Sequence, residues 1–149
     1  MDKHVYSDYK TELEKNEIIA FVPGGISMWP TLKHKGQSVV IARKKERLKR
    51  FDVAFYRREN GAYVLHRVME TTADGYMMCG DSQLWHEPVK EEQVFGVMVG
   101  FYRGKKYVEV TDAKYIKEVE RWYGRKFLRR VRLKLFRIRQ RIKRLFKKK

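Results

Sequence analysis

A mainly β domain followed by a basic amphipathic helical extension is the fold class that this 149-residue sequence predicts. Three observations predict it. Between residues 17 and 110, short segments rich in β-branched and aromatic residues follow one another closely, broken by turn signals. From residue 111 onward the apolar residues recur at helical spacing. The charge is also uneven: of a net +17, residues 125–149 supply 14 Lys/Arg and no acid, which leaves +3 on residues 1–124.

Residues 1–16 are polar and mixed in charge, and read as an arm with a short helix over 7–16. Without an apolar core segment this stretch is not expected to act as a signal peptide. No apolar run approaches the ~20 residues of a membrane span. Strands are expected over 17–22 (EIIAFV), 38–43 (SVVIAR), 52–57 (DVAFYR), 62–70 (AYVLHRVME), 75–79 (GYMMC), 94–103 (VFGVMVGFYR) and 106–110 (KYVEV). Asn60-Gly61 and Asp74-Gly75 predict type I′ hairpin turns, and Arg103-Gly104 is a weaker cue. Residues 80–93 read as a polar loop. Closely spaced strands with turns between them argue for a compact, mostly antiparallel domain over 17–110.

Thr111 or Asp112 can cap a helix carrying Tyr115, Ile116, Val119, Trp122 and Tyr123, with a break or kink at Gly124. Beyond it, Leu128, Val131, Leu135, Ile138, Ile142 and Leu145 recur at steps of three and four, which places them on one helical stripe. Leu133, Phe136 and Phe146 are expected to widen that stripe.

The only cysteine, Cys79, excludes an intramolecular disulfide and a Cys-rich zinc site. No residue cluster has metal-ligand spacing and no Gly-rich loop has a phosphate-binding context, so neither metal nor cofactor is expected.

The segment GGISMWPTL (24–32) sets one serine, Ser27, behind two glycines and before a Met-Trp-Pro corner. A serine hydroxyl attacks a carbonyl only with a base in reach and donors aimed at the developing oxyanion. Gly24 and Gly25 let the backbone approach a ligand, and Pro30 stiffens the exit. The backbone at Gly25, Ser27 and Met28 would line the oxyanion site, and Trp29 and Pro30 would edge a substrate groove. The corner taken alone reads more readily as a turn. The candidate base is His66, which strand alternation places with Val64 and Val68 on one face, opposite Leu65 and Arg67. A histidine on an apolar face is more commonly a packed core residue. His4, His34 and His86 lie in arm or loop contexts.

The order SMWPTL, SVVIA, FDVAFY, VLHRV, GDSQ, VFGVMVG over about residues 20–102 resembles the signal peptidase I family, within the larger serine-peptidase group that includes the self-cleaving SOS repressors. A histidine rather than a lysine base resembles that family's archaeal and endoplasmic-reticulum branch. The resemblance implies the family's β-rich peptidase fold, Ser27 as nucleophile, His66 as base, and Asp81 of CGDSQ as the acid orienting the histidine. Asp52 is the second candidate for that acid. Here the position two before the nucleophile, often a serine in relatives, is Gly25. The implied activity is endopeptidase cleavage of leader or signal segments from peptide or protein precursors. The alternative is a non-catalytic membrane-surface or nucleic-acid binding module on a degenerate peptidase fold. Self-cleavage is discounted, because the Cys79-Gly80 pair falls inside the core.

For residues 125–149 three readings compete: a solvated basic extension, nucleic-acid binding, or an amphipathic helix on an anionic membrane or in a partner groove. The cations expected to meet a membrane or other anion are Arg129, Arg130, Arg132, Lys134, Arg137, Arg139, Arg141, Lys143 and Arg144, with the terminal Lys147–Lys149 adding charge. The apolar stripe favours membrane or partner helix over nucleic acid, which has no use for it. The expected setting is cytoplasmic and peripherally membrane-associated.

Overall fold

The computed structural model describes residues 8–33 and 36–147. His4, His34, most of the predicted arm and the last two lysines lie outside them. The chain runs α1 (Tyr9–Asn16), β1 (Ile18–Phe21), β2 (Val39–Arg43), β3 (Val53–Arg57), β4 (Tyr63–Thr71), β5 (Gly75–Cys79), β6 (Glu87–Lys90), a short 3₁₀ turn (Glu91–Gln93), β7 (Val94–Arg103), β8 (Lys106–Glu109), α2 (Ala113–Gly124) and α3 (Lys126–Lys147).

All eight strands form one antiparallel sheet in the order β1-β2-β7-β3-β4-β5-β6, with β8 also paired to β7. The ten-residue β7 organises it. One edge of β7 takes β2, while β3 and β8 share the other in succession.

Strand alternation then builds two cores. In β3, Val53 and Phe55 enter a core with Leu13, Ile19, Ile41, Phe101 and the α2 residues Tyr115 and Val119. Ala54 and Tyr56 enter the other, with Val68, Tyr76, Met78 and Val89. The second core draws on β3, β4, β5 and β6, and the Tyr56 hydroxyl of β3 reaches Glu87 of β6. Tyr9 of α1 closes the first core, packing against Phe21, Phe55 and Tyr63.

Two local expectations are corrected. The polar stretch 80–93 contains β6, whose EPVK sequence has one buried residue, Val89, and a proline suited to an edge strand. Asn60-Gly61 does mark a hairpin, but only Gly61 has positive φ (87°), with its N–H donating to the Arg58 carbonyl. That is a three-residue turn with a left-handed glycine rather than type I′.

Asp112 caps α2 by accepting from the Lys114 N–H, as its position predicts. Beyond Arg125, α3 turns back across the body. It docks through Arg129, Leu133 and Phe136; Leu133 is fully buried. Leu133 and Phe136 therefore do not widen the predicted stripe. They sit on the opposite side of the helix, and it is Leu128, Val131, Leu135, Ile138, Ile142 and Leu145 that are exposed.

Candidate active site

Ser27 sits on the turn after β1, just before two anchored residues. Met28 drops into the first core, and Trp29 points the other way, stacking on Phe136 of α3 at 4.2 Å with an interplanar angle of 10°. Trp29 also meets Trp122 edge-on, and its peptide bond to Pro30 is cis. The corner is pinned from below by Ser82, whose N–H donates to the Ser27 carbonyl (2.9 Å) and whose hydroxyl donates to the Ile26 carbonyl (3.0 Å). Gly80 makes this approach possible: a Cβ there would lie 2.7 Å from the Ser27 carbonyl oxygen. Gly25, with φ of 77°, turns the chain just before the serine.

Ser27 and His66 line one cleft of about 340 Å³, together with Gly24, Gly25, Met28 and Gln83. Trp29 and Pro30 do not line it. They face a separate groove against Trp122, Phe136 and Arg139, not the cleft that Ser27 and His66 line. The outward turn of Trp29 is the reason, because its partner is a helix the local motif does not reveal.

His66 lies at mid-strand in β4, paired with Ala54, and is 3% exposed. Its face is the predicted one: Val64 and Val68 belong to the second core and Leu65 to the first. Nδ1 is 3.1 Å from the Tyr56 hydroxyl and 3.2 Å from Glu87 Oε1. Tyr56 itself donates to Glu87. The tautomer with hydrogen on Nδ1 satisfies this set and leaves the Nε2 lone pair free. Burial is the largest influence on the imidazole and pushes its pKa below the ordinary 6.5, with Glu87 opposing. His66 is therefore neutral at neutral pH. No hydrogen bond joins Ser27 to His66 among the described residues. Nucleophile–base hydrogen bonds are commonly long without substrate and tighten when it binds.

Glu87 is held by Arg58, whose Nε and Nη2 donate to its two oxygens at 3.1 and 2.7 Å. Desolvation pushes this carboxyl up, but Arg58 and Tyr56 outweigh it and keep it below the ordinary range, so it is ionised.

Asp81 does not orient His66. Its carboxylate is completely buried and already engaged: Arg67 Nε and Nη2 donate to Oδ1 and Oδ2 at 2.8 Å each, with Thr31 and Tyr123 hydroxyls donating as well. Arg67 follows His66 on β4 and so points to the opposite face, where it draws the acid away. Asp52 is equally remote in role: its carboxylate accepts the Lys49 N–H and closes a turn. The acid beside the imidazole is Glu87, which sequence reasoning missed because β6 was read as loop.

Besides the Trp29–Phe136 stack, Arg129 ties the site to the C-terminal helix. Arg129 donates to the carbonyls of Gln83 (2.5 Å) and Asp81 (3.4 Å), and its guanidinium lies 4.7 Å from the centre of the Tyr123 ring. It is a bracing residue rather than one of the free tail cations, while Arg130, Arg132, Lys134, Arg139, Arg141, Lys143 and Arg144 are exposed. Arg137 is exposed and lies over Trp85.

No helix among the described residues is long and apolar enough to cross a membrane. Comparison with protein-family models, curated proteins and solved structures finds no match.

Proposed function

We propose that this chain is a serine endopeptidase of signal-peptidase type, acting on peptide or precursor-protein substrates through Ser27 and His66. One observation carries the reading: the serine of a glycine-flanked corner and a buried, neutral histidine line the same cleft, and the histidine's far nitrogen is held by an ionised carboxylate.

In this reading, a substrate carbonyl binds in the cleft with its oxygen toward the backbone N–H groups of Ser27 and Met28. His66 Nε2 takes the Ser27 proton as Oγ attacks the carbonyl carbon. The resulting imidazolium donates that proton to the leaving amine as the C–N bond breaks, which leaves an acyl group on Ser27. Water, deprotonated by the same nitrogen, then releases the acid product. Glu87 keeps the Nδ1 proton in place and stabilises the imidazolium. Arg58 and Tyr56 keep Glu87 ionised and aimed. Asp81 acts one layer away, tying β4, the Thr31 turn and α2 into a single support.

The test is labelling with a serine-directed acylating probe, comparing wild type with Ser27→Ala and His66→Ala. Labelling confined to wild type is expected. Labelling of both variants to the wild-type extent overturns the proposal.

A further inference from the structure

Among the described residues, nothing covers the outer face of α3. At about 100° per residue, Val131 and Leu135 lie roughly 160–200° around the helix from the buried Leu133. The same outer face carries Phe127, Leu128, Ile138, Ile142, Leu145 and Phe146. Phe127, Leu145 and Phe146 are 81%, 70% and 76% exposed. The stripe runs roughly 30 Å along the helix at ~1.5 Å per residue. Continuous apolar surface of this kind is rare on a soluble monomer.

The flanks identify the occupant. Arg130, Lys134 and Arg141 project along one side of the stripe, and Arg132, Arg139 and Lys143 along the other, all exposed. Residues 125–149 hold no acid. A second copy of the helix would bring like charges together along both borders. A nucleic acid would meet the cations and leave the stripe in water. An interface with anionic headgroups around an apolar interior satisfies both features at once.

We infer that the outer face of α3 is a docking surface for an anionic lipid bilayer, with the helix lying in the plane of the interface. The inner face fixes the geometry. Phe136 holds Trp29, two residues from Ser27, so about one helix diameter, roughly 10–12 Å, separates that corner from the lipid side. The bilayer surface is thereby brought close to the cleft. This inference does not depend on the cleft's chemistry.

The experiment is flotation of the full chain with phosphatidylcholine vesicles, with and without about one-third phosphatidylserine, for wild type and for the triple variant Leu135→Gln/Ile138→Gln/Ile142→Gln. These three side chains are exposed, so the variant is expected to keep the wild-type far-UV spectrum and melting temperature. Wild type is expected to float with phosphatidylserine vesicles, to lose binding as salt rises, and to lose at least tenfold in affinity in the triple variant. Ser27→Ala is expected to float like wild type, which separates this result from any failure of the peptidase reading. Unchanged flotation of the triple variant, or equal binding to pure phosphatidylcholine, overturns the inference. So does self-association in sedimentation that the triple variant abolishes without any vesicle binding.

Discussion

Arg67 and Asp81 form a bidentate ion pair with side chains 0% and 1% exposed, and it joins strand β4 to the loop after β5. Breaking a buried pair from one side leaves the other charge uncompensated. Asp81→Asn is therefore expected to lose about 3–5 kcal/mol of stability in urea denaturation. Burial would push the Asp81 carboxyl up, yet Arg67, with Thr31 and Tyr123, holds it below its ordinary 3.8. A carboxyl depressed in the folded state adds stability above its unfolded pKa and loses it as pH falls through the folded value. Wild type should therefore lose stability on acidification below about pH 4, and Asp81→Asn should lose less over the same range.

Glu87 should behave in the opposite way, with little effect on the fold and much on the rate. With the proposed mechanism, Glu87→Gln is expected to lower kcat/KM by about 10²–10⁴-fold, as when the acid of a Ser-His-Asp triad is neutralised. The pH profile carries a second sign. Because burial lowers the His66 pKa, the acid limb of wild-type kcat/KM should fall below pH 6.5. Glu87 favours the imidazolium, so removing its charge should move that limb to still lower pH. An unmoved limb in Glu87→Gln would separate this carboxylate from the imidazole.

Gly80 is the contact point beneath Ser27. Gly80→Ala puts a methyl 2.7 Å from the Ser27 carbonyl and 2.8 Å from Gln83 Oε1, and one of them must move. A displacement near 1 Å at a reacting group costs on the order of 10²-fold in rate. Acylation of Ser27 should slow by about that factor, read by stopped labelling at equal folded fraction.

Trp29 and Phe136 join the corner to the C-terminal helix. A double-mutant cycle with Trp29→Ala and Phe136→Ala is expected to give a coupling of about 0.5–1.5 kcal/mol beyond lost area, the range for a stacked aromatic pair. A coupling of zero would mean that α3 merely lies beside the corner.

Much of the sheet was legible because its strands are buried on at least one face and so keep a period of two. Each of the seven anticipated segments is a strand to within one residue at either end. The strand that was missed, β6, pairs only with β5 and buries Val89 alone, so nothing local distinguishes EPVK from a loop. Glu87 went unnoticed with it. The misassigned Asp81 did have a sequence signal. Arg67 lies on the same face as Leu65, which points into a core, and a cation buried there demands a buried anion. The stripe on α3 was visible in its spacing. Which face would dock was not, because Trp29, the partner of Phe136, lies more than one hundred residues earlier.

β6 closes one margin of the sheet and leans on a single neighbouring strand, yet it carries the carboxylate that steadies the imidazole. In the proposed mechanism, the acid behind His66 therefore sits on a sheet edge that is hydrogen-bonded along one side only. On warming, fraying at that edge should abolish the proposed activity several degrees before the body melts, so that residual turnover reports peripheral opening while circular dichroism still records an intact protein.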